Sequence, residues 1–510
     1  MLAGMFTPGS AEELAAFAAL QQRTPDLFRI LSADAATPQT CVIVPSLSLP
    51  TRELNKITGV WHYEERMLVN LMLLKQPRTK VIYVTSSAID PGIVDYYLAM
   101  LPGVPASHAR PRLVMLHCAD SSVAPLTEKI LRRPRLIERI REEIAHPETS
   151  HLVCFNSSTL ERSLAVRLGL PLHAVDPSLY DLGTKSGARE VFRAAGIDFP
   201  FGFERLRDPQ DIARAFAAIR RARPTARRAV TKLNDGFSGE GNAVLSFDGL
   251  DPTLSENELT ARILDRLPTQ LQYVSSSETW EDWSTSLRDM QGVVEEWIDG
   301  EVKASPSVQC RVNALGEPQA ISTHDQVLGG VDGQVFLGAR FPADGAYRTD
   351  VQASAMQVAD ELARRGVIGR FGIDYVSVLG ERGWRHFAIE INLRKGGTTH
   401  PFLTLKFLTD GRYDVNRGTF HSASGAEKFY FASDNITSQR YVGLRPDDLI
   451  DIAVLHGLLF HAPTERGVVF HLMGALSQFG KVGLVAIGDS ADDAEELAAR
   501  AVAALDQETA

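Results

Sequence analysis

Cysteine is scarce in this 510-residue chain: four in all, Cys41, Cys118, Cys154 and Cys310, none spaced as Cys-x-x-Cys. That scarcity excludes a disulfide framework and a thiolate zinc site, and it fits a reducing cytoplasm. Surplus basic charge is missing as well. A formal net charge of −10 leaves no general footprint for nucleic acid, which needs clustered Lys and Arg; a local basic pocket for phosphates stays open. No apolar run nears the roughly 20 residues that span a bilayer. Met1 to Ser10 lacks the basic-then-apolar order of a signal peptide. Internal repeats and low-complexity tracts are also absent. What is present, 44% hydrophobic and 23% charged residues, is ordinary for a soluble globular chain of several domains.

Strands and helices alternate over the first 180 or so residues. Ser10 and Glu13 form a capping box ahead of a short helix, Leu14 to Leu20. Apolar strands are expected at Cys41 to Pro45, Lys80 to Thr85, Leu113 to His117 and His151 to Phe155, with helices at Tyr63 to Lys75 and Arg132 to Ile144. This order argues for a parallel α/β sheet. The middle changes character. Arg227 to Lys232 and Ala243 to Phe247 make a hairpin whose tip, Leu233 to Asn242, is rich in glycine. Further strands are expected at Gly292 to Ile298, Ser307 to Ala314, Gln319 to Thr323 and Arg370 to Val378. A helix from Val351 to Arg365 ends at Gly366. The tail reads as a strand, Val482 to Ile487, and a helix from Ala491 to Leu505 capped by Ser490. Residues 422–424 and 433–440 read as linkers.

Chemistry concentrates in a few segments. In the run from Ala388 to Arg394, alternation puts Ala388, Glu390, Asn392 and Arg394 on one strand face and Ile389, Ile391 and Leu393 on the other. Glu390 and Asn392 offer hard oxygens to Mg²⁺, and Arg394 offers a fork to a phosphate or an oxyanion. Asp374 lies on the preceding strand, where antiparallel pairing would bring it beside Glu390 and Asn392. Lys232 runs into the glycine-rich tip, whose Gly236, Ser238, Gly239, Glu240 and Gly241 can present backbone N–H groups to phosphates. Lys185 precedes a helix expected at Arg189 to Ala195. Glu295, Glu296, Trp297 and Ile298, followed by Glu301, form a strand and turn able to meet an adenine edge and a ribose. Each segment has a plainer reading when taken singly: a solvated strand face, a surface lysine, an ordinary hairpin.

Taken in order, these features resemble the ATP-grasp superfamily. Lys185 lies eleven residues before Gly196, and Lys232 stands directly before the flexible loop; both spacings match its pattern. A closer resemblance covers nearly the whole chain. Tyr63-Glu64-Glu65-Arg66, Val84-Thr85-Ser86-Ser87, Asp95-Tyr96-Tyr97-Leu98, Pro125-Leu126-Thr127-Glu128-Lys129, Gly183-Thr184-Lys185-Ser186-Gly187, Thr323-His324-Asp325-Gln326, Gly338-Ala339-Arg340-Phe341-Pro342-Ala343 and Phe470-His471-Leu472-Met473-Gly474 are similar to segments of the pheganomycin-type peptide ligases.

That resemblance implies a multidomain α/β and α+β fold: a Rossmann-like pre-ATP-grasp domain (1–182), two ATP-grasp subdomains (183–295 and 296–420) and a small C-terminal α/β domain (421–510). It implies a cytoplasmic ligase that uses ATP and one or two Mg²⁺ ions to join a carboxylic acid to an amino acid or peptide amine in natural-product biosynthesis, and it is compatible with a homodimer. The acid passes through an acyl phosphate. Lys185 and Lys232 neutralise the phosphates. Asp374, Glu390 and Asn392 hold the metal, and Arg394 stabilises the tetrahedral oxyanion. Glu301 stands one residue nearer the hinge than the ribose-binding acid of many superfamily members. His324 is a candidate base, and Arg311, Gln326, Arg340 and His400 are candidate substrate contacts. Two rival readings are a kinase that stops at phosphoryl transfer and a nucleotide-binding scaffold without chemistry.

Overall fold

The computed structural model describes residues 6–236, 239, 241–275, 278–329 and 335–509. Four parallel strands open the chain: β1 (Gln39–Val44), β2 (Thr79–Thr85), β3 (Leu113–His117) and β4 (His151–Cys154), in the order β3-β2-β1-β4. Their apolar runs are buried on both faces, as helices packed on either side require. Val42, Val44, Ile82 and Val84 enter one core; Cys41, Ile43, Val81 and Tyr83 enter another. The helix expected at 132–144 is found at Pro134–Glu142, and a separate short helix, Leu126–Leu131, precedes it. Pro134 forces Arg133 out of helical geometry and divides them. Val60–Lys75 is helical but wound with i to i+3 bonds. At the first helix, Ala11–Gln21, Ser10 Oγ accepts from the Glu13 N–H, while the Glu13 carboxylate accepts from Gly9 rather than Ser10.

The second unit is antiparallel: β5 (Gly202–Leu206), β6 (Arg228–Leu233), β7 (Asn242–Ser246), β8 (Gln272–Tyr273) and β9 (Gly292–Glu296), ordered β5-β9-β6-β7-β8. Helices Pro209–Ala222 and Glu256–Gln270 close over it, and Trp283 is buried in its core.

The third sheet is the largest. Its strands are β10 (Lys303–Ala304), β11 (Pro306–Val312), β12 (Pro318–Gly329), β13 (Val335–Phe341), β14 (Gly369–Gly380) and β15 (Gly383–Asn392). After a small separate hairpin, β16 (Arg412–Asp414) with β17 (Thr419–His421), come β18 (Phe429–Thr437), β19 (Gly467–His471) and β20 (Lys481–Gly488). From one edge the path runs β15, β14, β11, β12, β13, β18, β20, β19, with β10 also along β14. Residues 433–437, read as linker from composition, therefore belong to a strand. The tail continues the sheet of the middle of the chain: β13 pairs with β18 from Ala339↔Ala432 to Phe341↔Tyr430. One apolar core joins this tail to the first unit, with Leu68, Leu71 and Tyr97 packed in the same cluster as Phe470, Leu484 and Leu505. Among the described residues no helix is long and apolar enough to cross a membrane, and all four cysteines are free and buried.

Candidate active site

A cleft of about 840 Å³ runs between the antiparallel second unit and the large sheet, and the first unit closes one end. It is lined by Lys185, Lys232, Gly236, Gly239, Glu295, Glu296, Trp297, Ile298, Gln326, Asp374, Glu390, Asn392 and Arg394 among others. Most residues singled out from sequence thus meet in one space.

Local structure sets their aim. Thr184 caps the helix Lys185–Ala195 by accepting the Gly187 N–H at 3.0 Å, so Lys185 is the first helical residue; the helix begins four residues before the expected Arg189. Gly187 is required there, because a Cβ would stand 1.9 Å from the Asp181 carbonyl oxygen. Asn234, just past β6, accepts from the Ser186 N–H at 3.0 Å and the Ser186 hydroxyl at 2.7 Å. This clamp ties the helix bearing Lys185 to the strand bearing Lys232. The tip turns through left-handed Gly239 and Gly241, φ +85° and +76°. Trp283 donates to the Gly241 carbonyl at 3.0 Å and pins the return. Ser238 and Glu240 lie outside the described residues.

Glu295 does not turn its side chain to a nucleotide base. Its buried carboxylate accepts from Lys232 Nζ at 2.7 Å and Arg189 Nη1 at 2.6 Å. Burial pushes this acid up, but the two cations outweigh burial and hold it below its ordinary value. Glu296 is committed too, to the Phe201 N–H at 2.9 Å and Arg223 at 2.8 Å. Trp297 lies under the Arg228 guanidinium, 4.3 Å from its centroid, and Lys303 donates to the Ile298 carbonyl at 2.9 Å. Glu301 is exposed and outside the lining.

Opposite, β14 and β15 pair Asp374 with Glu390. A β-bulge interrupts the ladder: Tyr375 pairs with Ala388, Asp374 with Glu390, and Ile389 is the extra residue. The expected two-face alternation therefore fails at 388–389. Ala388 lies in the core with Ile391, and Ile389 lines the cleft beside Glu390. Lys185 Nζ stands 2.6 Å from Glu390 Oε1. Asn392 donates to Asp374 at 2.8 Å and accepts from Arg394 at 3.0 Å. Burial and the Glu390 carboxylate push Asp374 up to about 7. Burial also pushes Glu390 up, yet Lys185 and Arg394 outweigh it and hold that carboxyl below its ordinary value. Two adjacent half-buried carboxylates, with the amide oxygen of Asn392 beside them, are hard oxygen ligands that fit Mg²⁺.

Four further predictions are placed elsewhere. His324 is fully buried, bonded through Nε2 to the Tyr430 hydroxyl at 2.6 Å and packed against Phe341. Burial pushes its imidazole down to about 3. It is a core histidine, and the expectation of a base there is corrected. Arg340 pairs with Glu495 on the outer side, and Arg311 bonds Gln319 at 2.6 Å; neither lines the cleft. His400 is buried behind the wall. With His471 it converges on Asp434, a cleft residue that the sequence reading missed: His471 Nε2 is 2.7 Å, and His400 Nε2 3.3 Å, from Asp434 Oδ1. Arg66 holds Oδ2 at 3.0 Å. Burial pushes Asp434 up, but His400, His471 and Arg66 outweigh it and hold the carboxylate well below its usual range. The three ligand atoms of His400, Asp434 and His471 are close enough for a metal. Arg66 already neutralises the carboxylate, however, and both Nδ1 atoms are buried without partners among the described residues, unlike metal-ligating histidines, which are oriented through that nitrogen. The cluster is a hydrogen-bonded anchor for Asp434 and Arg66.

This three-sheet frame with a cleft between two lysines and two carboxylates is that of an ATP-grasp enzyme. Solved structures agree: an ADP complex of N5-carboxyaminoimidazole ribonucleotide synthetase matches with a TM-score of 0.50, 11% identity and coverage of 93% of this chain and 98% of that one. Biotin carboxylase from Campylobacter jejuni matches at 0.51, 12%, 89% and 88%. Such low identities speak for the fold alone. The PGM1 C-terminal domain model matches residues 448–501. The L-propargylglycine--L-glutamate ligase of Streptantibioticus cattleyicolor is 30% identical over 475 residues, 91% of this chain and 94% of that protein. IQ motif-containing protein H of Danio rerio is 20% identical over 441 residues, 79% of this chain and 41% of that protein. The chain belongs to the pheganomycin-type peptide ligases of the ATP-grasp superfamily.

Proposed function

We propose that the chain joins a small carboxylic acid to the amine of an amino acid or peptide, in the cytoplasm, at the expense of ATP. The observation that carries this reading is the paired-carboxylate, paired-lysine arrangement across one cleft. Lys232, steadied by Glu295, and Lys185, at a helix N-terminus, face the phosphate chain of ATP. Trp297, Ile298 and Ile389 offer the apolar end for its base. Asp374, Glu390 and the Asn392 oxygen are the groups that would hold Mg²⁺, which when bound offsets charge on the phosphates. Lys185 then passes from Glu390 to the phosphates. The acid is activated as its acyl phosphate, and the amine displaces phosphate. Arg394, fixed by Asn392 beside the carboxylates, stabilises the oxyanion of that second step; such a contact is worth about 3 kcal/mol of barrier. The closed cleft keeps water from the acyl phosphate.

The test is ADP release across a panel of amino acids, guanidino acids and short peptides, with mass detection of products. An acid–amine pair that releases ADP and yields a product lighter than its parts by one water supports the reading. ADP release indifferent to every amine, with a phosphorylated acid as end product, overturns it in favour of a kinase.

A further inference from the structure

Beyond Arg394 the cleft continues into a wall shared by the first unit and the tail. Groups there follow one another: Arg394 feels the charge of Arg66, and Arg66 holds Asp434. Arg66 sits between two rings, its guanidinium carbon 4.5 Å from the Tyr63 centroid and 4.7 Å from that of Phe155. Lys481, at the start of β20, reaches the same tyrosine: its Nζ donates to the Tyr63 hydroxyl at 2.9 Å and stands 5.1 Å from the ring centroid. Both cations line the cleft, and both are almost wholly buried, Arg66 at 5% exposure and Lys481 at 8%.

The charge at this end does not balance. Asp434 is the acid facing Arg66, and it is already shared with His400 and His471. Among the described residues no carboxylate pairs with Lys481. The Arg66 Nε is buried without a partner. An ammonium taken out of water without a counter-ion is costly; Lys481, sharing the Tyr63 ring with Arg66, whose Nε is unpartnered although its Nη1 is paired with Asp434, forms with it a place for an anion. The cleft is continuous from here to Arg394, so the anion belongs to a reactant.

We propose that Arg66 and Lys481, spaced by Tyr63, bind a carboxylate of the amine substrate, so that the enzyme selects amino acids over simple amines and over carboxamides. This rests on the ligase reading for its role, but the anion subsite stands on its own geometry. His400, His471 and Asp434 act as positioning residues by fixing Arg66.

The experiment compares each common L-α-amino acid with its carboxamide. Binding is read by thermal shift without nucleotide, and turnover by ADP release with ATP and Mg²⁺. In the parent chain at least one amino acid is expected to act at a tenfold lower concentration than its amide. Lys481→Gln should bring the two within twofold while leaving the KM for ATP unchanged, and Lys481→Arg should restore the preference. A preference that survives in Lys481→Gln, or its absence from the parent chain, overturns the proposal. Should amino acids outcompete amides in binding while no acid–amine pair gives a condensed product, the ligase reading fails and the subsite remains.

Discussion

At the scale of single residues, the site is organised by charges that lack something. Lys185 occupies Glu390 at 2.6 Å, while Asp374 next to it is pushed up to about 7 by burial and by Glu390. Lys185 and Arg394 lower both acids, yet burial and Glu390 still leave Asp374 raised, and a divalent ion bound with a phosphate would relieve it. Glu390→Gln keeps shape and hydrogen bonding while removing the charge, so ADP release should fall about 100-fold or more with the fold intact. A coupled ADP assay beside a thermal melt checks this; parental turnover would refute the metal assignment. His324 makes the opposite case. Burial lowers its imidazole from 6.5 to about 3. Between those values the unfolded chain binds a proton that the folded chain refuses. Stability from this group is therefore complete above about pH 6.5 and is lost progressively as pH falls toward 3. Chemical denaturation between about pH 4 and 6.5 should show a shallower loss for His324→Phe than for the parent chain. An unchanged slope would mean that His324 titrates normally and is not the core residue described.

At the scale of elements, one inserted residue decides what β15 shows to the cleft. Regular pairing would place Ala388 and Glu390 on one face. The bulge puts Ala388 into the core opposite Tyr375 and returns Glu390 opposite Asp374, leaving Ile389 in the cleft. Ile389 and Ile391 are thus chemically alike and physically unlike. Ile389→Ala removes apolar surface from the nucleotide end, worth about 1–2 kcal/mol, so the Kd for ADP should rise about 5- to 30-fold with little loss of stability. Ile391→Ala opens a core cavity instead and should cost about 2–4 kcal/mol of stability. Calorimetric titration and denaturant melts of the two variants separate the roles; equal effects on both quantities would place the two side chains on one face. The same elements show what the sequence makes legible. The β1–β4 runs, the hairpin of β6 and β7 and the Asp374–Glu390 pairing follow from local apolar period and turn chemistry. The bulge does not, because an extra residue leaves no mark in composition. Asp434 was equally hidden. It lies in a strand whose own register shifts between Ser433 and Ile436, so its polar run reads as linker, and its partners His400 and His471 come from distant segments.

At the scale of the whole molecule, the matched C-terminal segment, 448–501, is smaller than the unit that does the folding. The tail enters the large sheet at β18, beginning at Phe429, and β20 and β19 extend that sheet. Its helix Ala491–Glu508 covers the same sheet, and Leu497, Ala501 and Leu505 share a core with Leu68, Leu71 and Phe402. The tail also supplies Asp434 and Lys481 to the cleft wall. A chain ending at residue 420 would leave β13 with an unpaired edge and uncover that core. Each large apolar side chain so exposed costs about 1.5–3 kcal/mol, and half a dozen of them match the roughly 5–15 kcal/mol that holds a typical domain together. The truncated chain should therefore lack a cooperative thermal transition and self-associate through the bare strand, as read by circular dichroism and size-exclusion chromatography. A sharp melt from a monomeric 1–420 chain would instead make the tail a separable domain. The wall bearing Asp434 and Lys481 would then be an added module, and catalysis on nucleotide alone should survive its removal.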